Sequence, residues 1–97
     1  MLAAKSRSND LRVLTPQTLR AARALVDWSR DELAKRSGTN LETVKNFETR
    51  GSDPKLSTIY KWRKALADAG VEFLDPDPFS PGSGPGVRLR ETPRGKR

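Results

Sequence analysis

Residues 29–48 read SRDELAKRSGTNLETVKNFE, and this stretch predicts two short helices joined by a turn. Ser29 followed by Glu32 is a capping box that begins the first helix, because each side chain can bond to the backbone N–H of the other residue. Gly38 ends that helix and Asn40 caps the next one. Two helices that meet across a glycine-containing turn of about four residues have the geometry of a helix-turn-helix motif.

The same patterning predicts one helix on each side of the motif. Thr15 and Pro16 supply an N-cap and a first-turn proline for a helix that ends near residue 27. The second motif helix, 41–50, ends at Gly51, and a fourth helix runs from residue 55 or 56 to about residue 69. Apolar residues at helical spacing form the expected core: Leu19, Ala22, Val26, Leu33, Val44, Phe47, Leu56, Ile59, Trp62 and Leu66.

The C-terminal third changes character. Residues 71–74 and 86–90 predict two short strands, and the loop between them holds four of the seven prolines of the chain. Alternation would place four apolar side chains on one face: Val71, Phe73, Val87 and Leu89. Glu72 would then lie opposite Arg88 or Arg90 on the solvent side. The alternative interpretation is that everything after residue 74 is a disordered tail.

Composition limits the classes of function. The 97 residues are enough for one small domain, and 19 Lys and Arg against 12 Asp and Glu give a net charge of +7. Both ends are basic, with +2 over residues 1–14 and +4 over 87–97, which suits a polyanion such as nucleic acid or simply keeps the protein soluble. Since Cys and His are absent, we expect no enzyme, no metal site and no cofactor. The sequence also predicts neither a secretory signal nor a membrane span, and hence a cytoplasmic, nucleoid-associated protein.

Residues 15–70 resemble the DNA-binding domain of the lambda-repressor/Cro (XRE) family of bacterial and phage regulators. The resemblance rests on residues 28–34, WSRDELA, followed by Gly38, Val44, Phe47-Glu48 and Pro54. It implies a mainly α fold: a four-helix lambda-repressor-like domain, here with a small two-stranded β element and flexible basic tails. The expected organisation is a flexible arm over 1–14, the helix-turn-helix domain over 15–70, a strand pair and candidate dimerisation element over 71–90, and a basic tail over 91–97.

The resemblance also implies which residues meet DNA. Arg30 would touch the backbone and the edge of the groove. The positions that would read bases are Asn40, Leu41, Glu42 and Asn46, with Thr39 and Thr43 near phosphates. The candidate phosphate contacts are Lys45, Arg50 and Lys55, and a structural ion pair would join Arg23 to Glu48. For each DNA contact the alternative is an ordinary solvated side chain, and Glu42, Glu48 and Asp31 would make this face less basic.

These features predict a sequence-specific regulator that binds double-stranded DNA as a homodimer on an inverted repeat. Repression is expected rather than activation, through occupancy of a promoter or contact with RNA polymerase. The alternative is a protein-interaction module on the same scaffold, such as an antitoxin or antiactivator that binds a partner protein.

Overall fold

The computed structural model describes residues 14–74, 79 and 84–90. Within these ranges it contains helices α1 (Pro16–Val26), α2 (Arg30–Ser37), α3 (Leu41–Arg50) and α4 (Leu56–Asp68), and strands β1 (Val71–Leu74) and β2 (Gly86–Leu89). The predicted mainly α class with a small C-terminal sheet is confirmed. The predictions for residues 1–13, for most of the loop between the strands and for residues 91–97 lie outside the described residues.

The start of α1 is fixed by a reciprocal cap. The Thr15 hydroxyl accepts a hydrogen bond from the Thr18 backbone N–H at 3.1 Å, and the Thr18 hydroxyl accepts one from the Thr15 N–H at 2.8 Å. Leu14 and Leu19 flank this cap at the two positions of a hydrophobic staple, and both are buried in one cluster. Leu14, assigned to the N-terminal arm from the sequence, therefore belongs to the core, with 7% of its surface exposed.

The start of α2 corrects one prediction. The Ser29 hydroxyl accepts from the Glu32 backbone N–H at 3.0 Å, as expected of an N-cap. The reciprocal half of the capping box is wrong, because the Glu32 carboxylate pairs with Arg36 one turn later. A charge-assisted bond to a guanidinium is stronger than a bond to a neutral backbone N–H, so the carboxylate turns along the helix instead of back towards its start.

Two glycines end the helices of the motif. Gly38 follows α2 with φ 72° and Gly51 follows α3 with φ 67°, and both are left-handed caps. A residue with a Cβ atom is strained in this conformation, so glycine allows each helix to stop and the chain to turn sharply.

The core lies where the four helices meet. α2 packs against both α3 and α4, and α1 packs against α3 and the strands. The buried apolar residues are Leu14, Leu19, Ala22, Leu33, Ala34, Val44, Phe47, Trp62, Leu66 and Val71, with Val26, Trp28, Ile59, Phe73 and Val87 partly buried around them. Most of the core predicted by helical spacing is therefore confirmed, except that Leu56 is exposed.

The two strands pair antiparallel, and of the two partners predicted for Glu72, Arg88 or Arg90, the structure has Arg88. Val71 lies opposite Leu89, Glu72 opposite Arg88 and Phe73 opposite Val87, and the Arg88 Nε lies 2.7 Å from a carboxylate oxygen of Glu72. Val71 is buried, and Phe73 and Val87 pack against the same core, whereas Leu89, predicted on this face, is 49% exposed at the end of β2. The sheet therefore closes the hydrophobic core rather than forming a separate element.

Candidate nucleic-acid interface

α3 is held at both ends and buried along one side. The Asn40 side-chain oxygen accepts from the Glu42 backbone N–H at 2.7 Å, which fixes where the helix begins. Val44 and Phe47 are buried, and the Phe47 ring centroid lies 5.4 Å from that of Trp62. This anchoring turns the opposite side of α3 towards solvent without loss of core packing.

The outward side of α3 carries the expected base-reading residues. Leu41, Glu42 and Lys45 are exposed, and Thr43 and Asn46 are half-buried. Glu42, Lys45 and Asn46 follow one another at i, i+3 and i+4, so they lie on one stripe of the helix. Among the described residues nothing is hydrogen-bonded to the Asn46 side chain, whose amide has the donor and the acceptor needed for the edge of an adenine.

Asn40 is already partly committed. Its side-chain oxygen accepts the cap bond, which uses one of the two lone pairs of that oxygen, while both N–H donors of its NH2 group remain available to a base or a phosphate. A contact from Asn40 is therefore expected to be made mainly through its N–H donors.

Thr39 belongs to a chain of hydrogen bonds that crosses the turn. The Trp62 indole N–H donates to the Thr39 hydroxyl at 2.9 Å, and the Thr39 and Ser37 hydroxyls lie 2.8 Å apart. The Ser37 hydroxyl donates its hydrogen to the Leu33 carbonyl at 2.7 Å. In the contact between the two hydroxyl groups, Thr39 is therefore the donor and Ser37 the acceptor. The Thr39 hydroxyl thus has no spare proton for a phosphate, and its contacts fix the turn.

The Arg23 and Glu48 side chains form an ion pair, and it has a third member. Arg23 donates hydrogen bonds to both carboxylate oxygens of Glu48, at 2.8 Å and 2.7 Å, and also donates to the Trp28 carbonyl. The Nε of Arg30 donates to the same carboxylate at 2.9 Å, although the resemblance implies that Arg30 contacts DNA. Arg20 bonds to the backbone carbonyl of Glu48 at 2.9 Å. Three arginines of α1 and α2 therefore converge on one residue of α3.

Glu48 does not lower the charge of the exposed face, as the sequence led us to expect. Its side chain is 0% exposed and is paired with two guanidinium groups. The carboxylates of the motif that remain near solvent include those of Asp31 and Glu42, which are exposed.

The three candidate phosphate contacts, Lys45, Arg50 and Lys55, are all exposed. Arg50 is the last residue of α3, and Lys55 precedes α4 without a side-chain capping bond. An uncommitted ammonium group at that position is free to meet an anion, and lysine in place of a small capping residue suits that use.

Two hydrogen bonds that hold the turn and α3 in place could not be predicted from the sequence. Arg20 looks like an ordinary surface residue in the sequence, since its bond to α3 spans 28 positions. Trp62 was predicted as core, but its hydrogen bond to Thr39, 23 positions earlier, carried no local signal. The hydrophobic staple formed by Leu14 and Leu19 did carry one, because its spacing around the cap is recognisable.

In the part of the chain that the structure describes, the helices are too short and too polar to cross a lipid bilayer.

Comparison with known proteins agrees with this geometry. A family described as helix-turn-helix matches residues 19–67, which is just over half of the chain. The chain is also similar to the protein called Antitoxin HigA1 from two strains of Mycobacterium tuberculosis, at 46% identity over 54 residues in each. The similar region covers 56% of this chain and 36% of each relative.

Proposed function

Since this chain belongs to the XRE-type helix-turn-helix family, we propose that it regulates transcription by binding a specific double-stranded DNA sequence as a homodimer. Two copies on an inverted repeat would place their α3 helices about 34 Å apart, one turn of DNA. Occupancy of a promoter makes repression the expected outcome, and RNA polymerase is the candidate second partner. The site of action would be DNA of the nucleoid.

One observation carries this proposal. The side chains of Lys45 and of the half-buried Asn46 have no hydrogen-bond or ion-pair partner within residues 14–74 and 84–90, while the buried side of α3 is fastened to α1, α2 and Trp62. A rigid helix with an uncommitted polar stripe is suited to the major groove, where amides and cations distinguish base edges.

Selection of DNA from a random pool by the purified protein, at two salt concentrations, tests the proposal. We expect an enriched inverted repeat whose half-sites are about one helical turn apart. Weak binding that disappears at the higher salt, with no enriched sequence, would reject sequence-specific regulation, because non-specific binding comes almost entirely from phosphate contacts.

Substitutions should distinguish residues that contact bases from residues that contact phosphates. We expect Asn46→Ala to cost about 1–3 kcal/mol at one base position and to relax the preference there, because a bidentate contact is lost. Lys55→Ala should lower the affinity for selected and unrelated duplexes by the same factor and reduce the slope of log affinity against log salt by about 0.9.

Fluorescence anisotropy with the selected duplex, its single-base variants and an unrelated duplex measures both effects. Lys64→Ala is the matched control, since Lys64 is an exposed lysine of α4 that is paired with Asp68. If Asn46→Ala kept the full preference at every position, the placement of α3 in the groove would be wrong.

A second function is favoured by the similarity to Antitoxin HigA1. In this alternative the scaffold binds a partner protein, and DNA binding regulates the operon that encodes both. Co-expression of this chain with the product of the adjacent reading frame tests it. A stoichiometric complex that relieves growth arrest supports the antitoxin function, whereas normal growth with the neighbour alone and no complex contradicts it.

A further inference from the structure

Glu48 is bonded to more arginines than are needed to neutralise its single negative charge. Arg23 already makes a bidentate contact to the carboxylate, which is the strongest arrangement available to such a pair. The contact from Arg30 adds a second positive charge to the same carboxylate, and Arg20 adds a third at the backbone carbonyl of Glu48. The cluster of these four residues therefore has an excess of positive charge around one buried carboxylate.

The bonds made by Arg30 and Arg20 leave most of their donors unused. A guanidinium group has five N–H donors. Within the described residues Arg30 uses its Nε–H on Glu48 and Arg20 uses one Nη1–H on the Glu48 carbonyl. Arg23 is only 16% exposed, whereas 35% of the Arg30 side chain is accessible and Arg20 is exposed. Arg23 is thus the structural member of the cluster, while Arg30 and Arg20 present free donors to solvent.

The location of these donors suggests their ligand. Arg30 is the first residue of α2, the helix that crosses the sugar-phosphate backbone when the second helix of such a motif enters the major groove. Arg20 and Arg30 both bond to Glu48, Arg20 at its backbone carbonyl and Arg30 at its carboxylate, so both guanidinium groups are anchored near the C-terminal end of α3. A planar fork with free N–H groups matches the oxygens of a phosphodiester.

We propose that Arg30 and Arg20 form a phosphodiester-binding pair and that Glu48 is the positioning residue that holds both guanidinium groups in place. The proposal rests on the proposed DNA-binding function. It assigns to Glu48 a role in DNA affinity in addition to joining α1 to α3, and it adds Arg20 to the interface.

The sign of one mutational effect separates this proposal from general electrostatics. Removal of a negative charge near DNA should strengthen binding if only net charge matters. If the Glu48 carboxylate positions Arg30, Glu48→Gln should instead weaken binding, by about threefold or more, since the neutral amide accepts weaker hydrogen bonds from Arg30, while the bond of Arg20 to the Glu48 backbone carbonyl is kept. Arg30→Gln should weaken binding about tenfold and lower the salt slope by about 0.9.

Arg30→Lys provides a second test that leaves Glu48 unchanged. It keeps the charge and therefore the salt slope, but a lysine cannot bond to Glu48 and present a planar fork at the same time. We expect a loss of affinity of at least threefold for this variant. Arg36→Lys is the matched control on the same helix, because Arg36 pairs with Glu32 at the surface, and we expect it to bind as the wild type does.

The measurement is anisotropy with the selected duplex and with a mixed-sequence 20-base-pair duplex over a range of salt, after circular dichroism has shown each variant to be folded at 10 °C. The affinity of each variant should fall by the same factor for both duplexes, because contacts to phosphates carry no sequence information. If the wild type binds but Arg30→Gln, Arg20→Gln and Arg30→Lys bind equally well, the phosphodiester pair is refuted. If the wild type binds neither duplex, the proposed function itself is refuted.

Discussion

Trp62→Ala is expected to lower the free energy of unfolding by about 3–5 kcal/mol, because a large aromatic side chain is removed from the centre of the core. Trp62 is 0% exposed, its ring packs against Phe47, and its N–H is the donor that fixes Thr39. Small domains have a total stability of about 5–15 kcal/mol, so this loss would leave a large unfolded fraction at 37 °C.

Urea unfolding followed by circular dichroism at 222 nm measures the change without relying on tryptophan fluorescence. Trp62→Phe separates the two contributions: it keeps most of the ring contact and should cost about 1–3 kcal/mol for the lost volume and for the hydrogen bond that the Thr39 oxygen no longer accepts. Tyr60→Ala on the same helix is the control, since Tyr60 is 64% exposed and surface changes usually stay within about 0.5 kcal/mol. Equal midpoints for Trp62→Ala and Tyr60→Ala would contradict the packing described above.

The second large effect is expected from Glu48→Ala, at about 3–5 kcal/mol of stability. The change leaves the guanidinium of Arg23 partly buried without its carboxylate and removes the charged contact of Arg30. It should therefore loosen α3 from both α1 and α2. Glu48→Gln, which retains an oxygen that can accept hydrogen bonds, should cost clearly less.

Two comparisons make this prediction specific. Asp68→Ala breaks the exposed pair with Lys64 and should change stability by no more than about 0.5 kcal/mol, because surface ion pairs contribute little. Replacing both Arg23 and Glu48 with apolar residues of similar volume should recover much of the loss, since no buried charge is then left unpaired. If Glu48→Ala were as stable as Asp68→Ala, the cluster would not hold α3 in place.

The helix ends were predictable from the sequence because they depend on local chemistry. Ser29, Asn40, Gly38 and Gly51 each act on backbone groups within a few residues, and each does so in the structure. Which side chains of the strands share a face was predictable for a similar reason, since side chains alternate with a period of two residues. The register itself was not, because a shift of two residues keeps the same face, and the sequence left both Arg88 and Arg90 as partners of Glu72.

The contacts that could not be predicted join residues far apart in the chain. Arg30 matches a DNA-contacting position of the family and lies 18 positions from Glu48, and nothing in its neighbourhood indicates that its Nε faces a buried carboxylate. The error about Glu48 has the same origin. A charge counted along the sequence contributes to a surface only if the fold leaves it there, and here two arginines enclose it.

The packing of β2 against α1 has a consequence for how the protein is made. At least 60 positions separate Val26 from Gly86, whereas the helices of the motif contact neighbours that are close in sequence. A chain still on the ribosome can form its helices as they emerge and pack Val71 and Phe73 against α1 and α4, but β1 keeps an unpaired edge, and the core lacks Val87, until β2 has been synthesised. The core is therefore complete only after residue 89 has left the ribosome. A nascent chain that ends before residue 86 would expose the unpaired edge of β1 to chaperones and proteases.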